Sequence, residues 1–192
     1  MSTKKETLPG LYIHIPFCRS KCNYCSFYSI PDRKLIPEFT SAVCREMEIA
    51  CTPTGGASGE FRQIDTVYFG GGTPTVPGIE SIQNIVKAIH ENFTVSTNNE
   101  WTIEANPTGL DQAFLSSLLE AGFNRINVGV QSFNDDTLRF LGRLHDAGEA
   151  GQAVRDARSA GFENIGLDLI YGVPGQDMGS WMESLEQAVG LS

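Results

Sequence analysis

The sequence predicts an α/β protein of about five parallel βα repeats, the kind of unit that builds a TIM-type barrel. Two observations carry that expectation. Short apolar runs rich in β-branched and aromatic residues alternate with longer stretches of helical period, the pattern of βα units and a parallel sheet. In addition, Ala121-Gly122-Phe123-Asn124-Arg125-Ile126 and Ala160-Gly161-Phe162-Glu163-Asn164-Ile165 echo each other 39 residues apart. A glycine just past a helix can take the left-handed conformation that ends it, and the next Phe can pack back on the last turn, so the echo marks two equivalent helix-to-strand junctions.

The elements follow in order. Leu11-Tyr12-Ile13-His14-Ile15 is the first strand, and a helix near 35–50 is expected from Phe39, Val43, Cys44, Met47 and Ala50. Thr52 to Gly59 reads as a surface loop leading into the second strand, Ile64 to Phe69. A helix near 77–92 precedes the third strand, Trp101 to Ala105, and one near 111–121 precedes the fourth, Arg125 to Val130. Helices near 134–141 and 147–160 lead to the fifth strand, Ile165 to Ile170. The last helix, near 178–190, is expected to start at a capping box formed by Ser180 and Glu183, ahead of Leu185 and Val189.

Composition bounds the function. A chain of 192 residues is of single-domain length and buries its own core without a disulfide staple. With 41% hydrophobic and 19% charged residues, and Gly and Pro scattered, it belongs to neither the disordered nor the collagenous class. No apolar run reaches membrane-helix length and the polar start Met1 to Lys5 lacks a secretion signal, so a cytoplasmic location is expected and no membrane contact is encoded. The net charge of -9 would repel a phosphate backbone, which speaks against nucleic acid as a partner. Residues 1–34, with six basic and two acidic side chains, are nonetheless basic.

Five cysteines are an odd number, and in a reducing compartment metal binding or catalysis is a better reading than a disulfide framework. Cys44 and Cys51 read as small apolar packing residues. Cys18, Cys22 and Cys25 instead supply three thiolates from one tight loop, with Arg19 and Lys21 beside them to favour the ionised form. Iron-sulfur cubes commonly take four cysteines, so three would leave one iron open to a ligand. The residues alone also leave open a Cys3His zinc site using His14.

The strand ends carry the remaining chemistry. The cysteine loop follows the first strand, and Gly70-Gly71-Gly72-Thr73-Pro74-Thr75 follows the second. Glu104 closes the third, Gln131 follows the fourth, and Asp168 lies in the fifth, ahead of Tyr171-Gly172-Val173-Pro174-Gly175. In a parallel βα barrel all strand C-termini open on one face, so these distant residues are expected to converge on a single site.

The cysteine spacing resembles that of the radical S-adenosylmethionine (SAM) superfamily. The string Leu11-Tyr-Ile-His-Ile-Pro-Phe-Cys-Arg-Ser-Lys-Cys-Asn-Tyr-Cys25 is similar to its oxygen-independent coproporphyrinogen III oxidase group. The likeness continues in Tyr68-Phe-Gly-Gly-Gly-Thr-Pro-Thr75, Glu104-Ala-Asn-Pro107, Gly129-Val-Gln-Ser-Phe133, Leu141-Gly-Arg-Leu-His145 and Asp168-Leu-Ile-Tyr-Gly-Val-Pro-Gly175. The resemblance implies a radical SAM barrel in which Cys18, Cys22 and Cys25 hold a [4Fe-4S] cluster whose free iron takes the amino and carboxylate groups of SAM. Tyr24 matches the aromatic position beside the cluster. Tyr12, Gly71 and Glu104 match contacts to that SAM, and Gly72, Thr73, Gln131, Arg143 and Asp168 match contacts to a second one. Left to itself, the pair Arg143 and Asp168 could be an ordinary salt bridge at the barrel mouth.

Two departures select a branch. The oxidases of the group carry another cysteine where this chain has Phe27, and a longer N-terminal extension; both differences point to the haem-chaperone branch, which implies haem and a haem-acceptor protein as partners. Oxidation of a porphyrinogen is then not expected, while SAM cleavage stays open. A radical SAM oxidoreductase acting on coproporphyrinogen III is the second reading and a non-catalytic barrel with structural zinc the third. The resembling proteins are about twice as long and have six barrel strands. Residues 1–192 are therefore expected to be a radical SAM core domain truncated after the fifth βα unit, lacking the C-terminal domain with the haem motif.

Overall fold

A computed structural model describes residues 8–52 and 62–191. Five parallel strands form one open sheet in the order β1-β2-β3-β4-β5, with consecutive strands always neighbours. They are β1 (Gly10–Ile15), β2 (Gln63–Gly71), β3 (Thr94–Ala105), β4 (Arg125–Gln131) and β5 (Asn164–Leu169). The helices are α1 (Ile36–Ala50), α2 (Ile79–Asn92), α3 (Gln112–Glu120), α4 (Asp135–Phe140), α5 (Ala147–Ala160) and α6 (Met178–Gly190). Unbroken neighbour order in a parallel sheet with a helical connection after each strand is the arrangement of a barrel wall, and the expected five βα units are present.

Strand pleating sorts the sheet into two faces. Ile13 and Ile15, Val67 and Phe69, Trp101 and Ile103, and Ile126 and Val128 are buried beneath the helices, with Ile82, Ile85, Ile89, Leu115, Leu118 and Val154 packed upon them. Phe69, Trp101 and Phe123 meet edge to face in this layer, an arrangement favoured by the ring quadrupoles. The alternate residues Tyr12, His14, Tyr68, Glu104, Asn127 and Asp168 line the other face, where a polar wall forms.

The two echoed junctions are equivalent. Phe123 N–H donates to Leu118 O and Gly122 N–H to Leu119 O, while Phe162 and Gly161 repeat the pattern with Ala157 O and Arg158 O. Gly122 and Gly161 are left-handed (φ 102° and 117°). Each junction is a Schellman motif that buries its Phe.

Two expectations are corrected. The last helix does not start at a Ser180 and Glu183 box: Asp177 is its N-cap, accepting from Ser180 N–H at 2.8 Å, and the Ser180 hydroxyl turns back to Asp177 O. Aspartate outcompetes serine because its ionised carboxylate meets both the free N–H groups and the positive helix end. A true capping box starts α5, where Asp146 and Glu149 bond reciprocally. Likewise β3 begins at Thr94, seven residues before the expected Trp101. Its leading stretch is polar and lacks alternation, yet it pairs with β2 from Gln63↔Thr94 through a register shift before Thr66↔Glu100. Asn99 and Asn98 bond Ser96 within that irregular stretch. The segment Pro53 to Gly59 of the expected surface loop lies outside the described residues, as do Lys4, Lys5 and Glu6. Among the described residues no helix is long and apolar enough to cross a membrane.

Candidate functional site

The loop after β1 is held at its base. Phe17 is fully buried, meets Phe39 of α1 edge to face, and bridges to Ile30, whose N–H donates to Pro16 O at 2.7 Å. Between these anchors lie Cys18, Cys22 and Cys25. The far side of the loop is fixed by Asn23, whose backbone N–H donates to Leu141 O and whose side chain donates to Phe140 O. No sequence signal marked Asn23, since its partners Phe140 and Leu141 lie far along the chain, the first of them 117 residues away.

The three thiols border a cavity of about 420 Å³ at the C-terminal ends of the strands, a size suited to a small molecule or cofactor. The same cavity is lined by Tyr24, Phe27, Gly71, Gly72, Thr73, Glu104, Gln131, Arg143 and Asp168. Of the residues expected to contact the cluster or SAM, all but Tyr12 border it. Tyr12 stands on the adjacent wall, its hydroxyl 3.0 Å from His14 Nδ1 and its ring 6.0 Å from that of Tyr68.

Each candidate is positioned by a different device. Gly71 has φ 118°, and its N–H donates to Glu104 Oε2 at 3.2 Å. Gly72 and Thr73 N–H donate to Ile15 O and Phe17 O, both at 2.8 Å, which stitches the glycine loop to the cysteine loop. The Thr73 hydroxyl lies 3.8 Å from Cys18 Sγ, and burial pushes the Cys18 thiol up, partly offset by Thr73 and Arg143. Gln131 takes φ 68°, unlike any other non-glycine among the described residues. A left-handed non-glycine residue costs on the order of 1–3 kcal/mol and tends to persist where a site holds it. Burial raises the Asp168 carboxyl above its ordinary range.

Arg143 ties the site together. Its Nη2 donates to Asn106 Oδ1 at 2.5 Å and Gly129 O at 2.8 Å, and its Nη1 lies 3.4 Å from both Cys22 Sγ and Tyr24 Oη. Asn106 in turn donates to Thr73 Oγ1 at 3.0 Å. A polar chain therefore runs from Arg143 through Asn106 and Thr73 to Cys18. Burial pushes the Tyr24 phenol up to about 12, so it stays protonated. The ordinary salt bridge does not form, because Arg143 and Asp168 are not paired. Arg19 lies against Gly109 and Lys21 borders the cavity with the cysteines, while the guanidinium within 3.4 Å of Cys22 Sγ comes from Arg143, 121 residues further along the chain. Adjacency in sequence says little about which charge a tight loop turns toward.

The donor set fits an iron-sulfur cluster. Three soft thiols from one loop, with the Arg143 guanidinium 3.4 Å from Cys22 Sγ, are the donor type such clusters take, and Arg143 Nε is a buried donor without a partner among the described residues. His14 is engaged with Tyr12 and lies against Gly71.

The radical SAM superfamily profile matches residues 12–188. The chain is 38% identical over 185 residues to the haem chaperone HemW of Haemophilus influenzae, covering 95% of this chain and 48% of that protein. It is also 38% identical over 187 residues to HemW of Bacillus subtilis, covering 96% and 48%. It thus spans about half the length of these curated relatives. Among solved structures, coproporphyrinogen III oxidase HemN of Escherichia coli superposes with a TM-score of 0.86 at 30% identity, covering 97% of this chain and 42% of that one. Methylornithine synthase PylB, at 17% identity and a TM-score of 0.61, shares the fold. A profile match across nearly the whole chain, in a fold whose cavity is bordered by three loop cysteines, settles the family: the chain belongs to the radical SAM superfamily.

Proposed function

We propose that Cys18, Cys22 and Cys25 hold a [4Fe-4S] cluster beside a SAM site, and that this unit is the core of a haem chaperone of the HemW type, delivering haem to an acceptor protein in the cytoplasm. The observation that carries the proposal is the convergence of three thiols, Glu104, Arg143 and Asp168 on one cavity, in a chain 38% identical to HemW. When bound, the cluster supplies an open iron position and one-electron chemistry toward SAM. The chain's own residues do the placing. Glu104 accepts from the ligand's ammonium, the Gly71 and Gly72 backbone permits close approach, and Tyr12 and Tyr24 flank the site. Arg143 balances thiolate charge, and with Gly72, Thr73, Gln131 and Asp168 it forms the contacts proposed for a second SAM.

Anaerobic reconstitution, iron and sulfide analysis, and electron-spin spectra with and without SAM test this reading. The expected result is a cluster signal altered by SAM. Cys18→Ala, Cys22→Ala and Cys25→Ala should each abolish the visible chromophore, and Cys44→Ala and Cys51→Ala should keep it. Stoichiometric zinc without an iron-sulfur signal would sink the proposal. In a protein of the relatives' length, a haem titration followed in the Soret band should show binding, and conversion of coproporphyrinogen III would turn the reading to an oxidase.

A further inference from the structure

Glu104 does not stand alone on the inner wall. Tyr68 Oη donates to Glu104 Oε1 at 2.7 Å, Asn127 Nδ2 donates to Tyr68 Oη at 3.2 Å, and Arg125 Nε donates to Asn127 Oδ1 at 3.3 Å. The direction of this relay is forced. A guanidinium only donates, so Asn127 must turn its oxygen to Arg125 and its amide hydrogens to Tyr68. The phenol oxygen then accepts from Asn127, and its single hydrogen goes to Glu104. Burial, followed by the Glu104 hydrogen bond, pushes the Tyr68 phenol up to about 12, which keeps it a donor at neutral pH.

The backbone leaves room for this arrangement. A Cβ on Gly70 would lie 2.9 Å from both Tyr12 Cε2 and Tyr68 Cε1 and 3.2 Å from Glu104 Oε2. Glu104 is registered with Asn127 across the β3–β4 pair, and Asn127 with Gly166 across β4–β5, where a Cβ would strike Asn127 Oδ1. Each Glu104 oxygen thus has one protein donor, Tyr68 Oη or Gly71 N–H, and each retains a lone pair for a ligand.

We infer that Tyr68 and Asn127 are positioning residues that hold the Glu104 carboxylate in the orientation needed to accept from the α-ammonium of a bound amino-acid moiety. The inference rests on the reading of Glu104 as a SAM contact and adds the residues that act through it. Tyr68 and Asn127 touch no ligand in this role; they remove the rotational freedom that Glu104 would otherwise lose on binding.

Calorimetric titration of the anaerobically reconstituted chain tests this with two probes, SAM and 5′-methylthioadenosine, which lacks the amino-acid moiety. Tyr68→Phe, which keeps the ring and removes one hydroxyl, should weaken SAM binding roughly three- to tenfold and leave 5′-methylthioadenosine unchanged. Asn127→Ala should act in the same direction and less strongly. In a Glu104→Gln background the Tyr68→Phe loss should vanish, because the residue it acts through no longer carries the charge. If Glu104→Gln leaves SAM affinity unchanged, the SAM reading of Glu104 fails and the inference falls with it. If Glu104→Gln weakens SAM while Tyr68→Phe does not, or weakens both probes alike, or adds fully to Glu104→Gln, the positioning role alone is overturned.

Discussion

Gly72→Ala isolates the contact between the glycine loop and the cysteine loop. A Cβ there would lie 2.7 Å from Phe17 O, 2.9 Å from Pro16 C and 3.0 Å from Cys18 Sγ. Gly72 is not among the left-handed glycines, so the cost is steric rather than conformational. Two of the three obstacles are backbone atoms, which cannot rotate aside. Relief requires separating the loops, and that lengthens the 2.8 Å bonds from Gly72 N–H to Ile15 O and from Thr73 N–H to Phe17 O. Overpacking of this kind costs about 1–3 kcal/mol. For a domain of this size each kcal/mol lowers Tm by roughly 2–4 °C, so a fall of about 2–12 °C is expected. Calorimetric melting of the cluster-free chain measures it, with Gly190→Ala as control because a Cβ there meets nothing within 4 Å. Displacement of Cys18 should also reduce iron uptake on reconstitution. A Gly72→Ala chain that melts with the unaltered protein and takes up iron equally well would refute the steric argument, since the loops would then have to yield freely.

Two further outcomes are expected. His145 is buried with Nε2 3.0 Å from Val130 O, and burial holds its pKa below the usual 6.5; Arg143 also lowers it, while Val130 O, Glu149 and Asp146 oppose the shift. The unfolded chain therefore takes up the proton first as pH falls below about 6.5, and stability is lost from there down to the folded-state pKa. Urea unfolding between pH 8 and pH 5 should show a larger loss for the unaltered protein than for His145→Gln, and parallel curves would remove His145 as the cause. Asp146→Ala deletes the acceptor of the α5 capping box and should cost about 1 kcal/mol, a Tm fall of roughly 2–4 °C. A thermal melt unchanged by Asp146→Ala would show that α5 is held by its buried face alone.

Much was legible in the sequence because it depends on local pattern. The alternation of strand and helix periods placed the five strands and six α-helices of the described residues, missing mainly the polar start of β3, where pairing comes from the partner strand and not from side-chain alternation. The cysteine spacing and the glycine loop were legible as chemistry because each lies within one short segment. Three things were decided only by the tertiary structure. The guanidinium beside Cys22 is that of Arg143, 121 residues away in sequence, since a charge acts through distance in space. Asn23 and Asn106, silent in the sequence, fix the cysteine loop and link Arg143 to Thr73. Tyr68 and Asn127 support Glu104 because parallel register brings alternate residues of β2, β3 and β4 onto one wall. Local spacing names the groups that do chemistry, whereas their supports come from residues that only strand pairing and loop packing bring within hydrogen-bond reach.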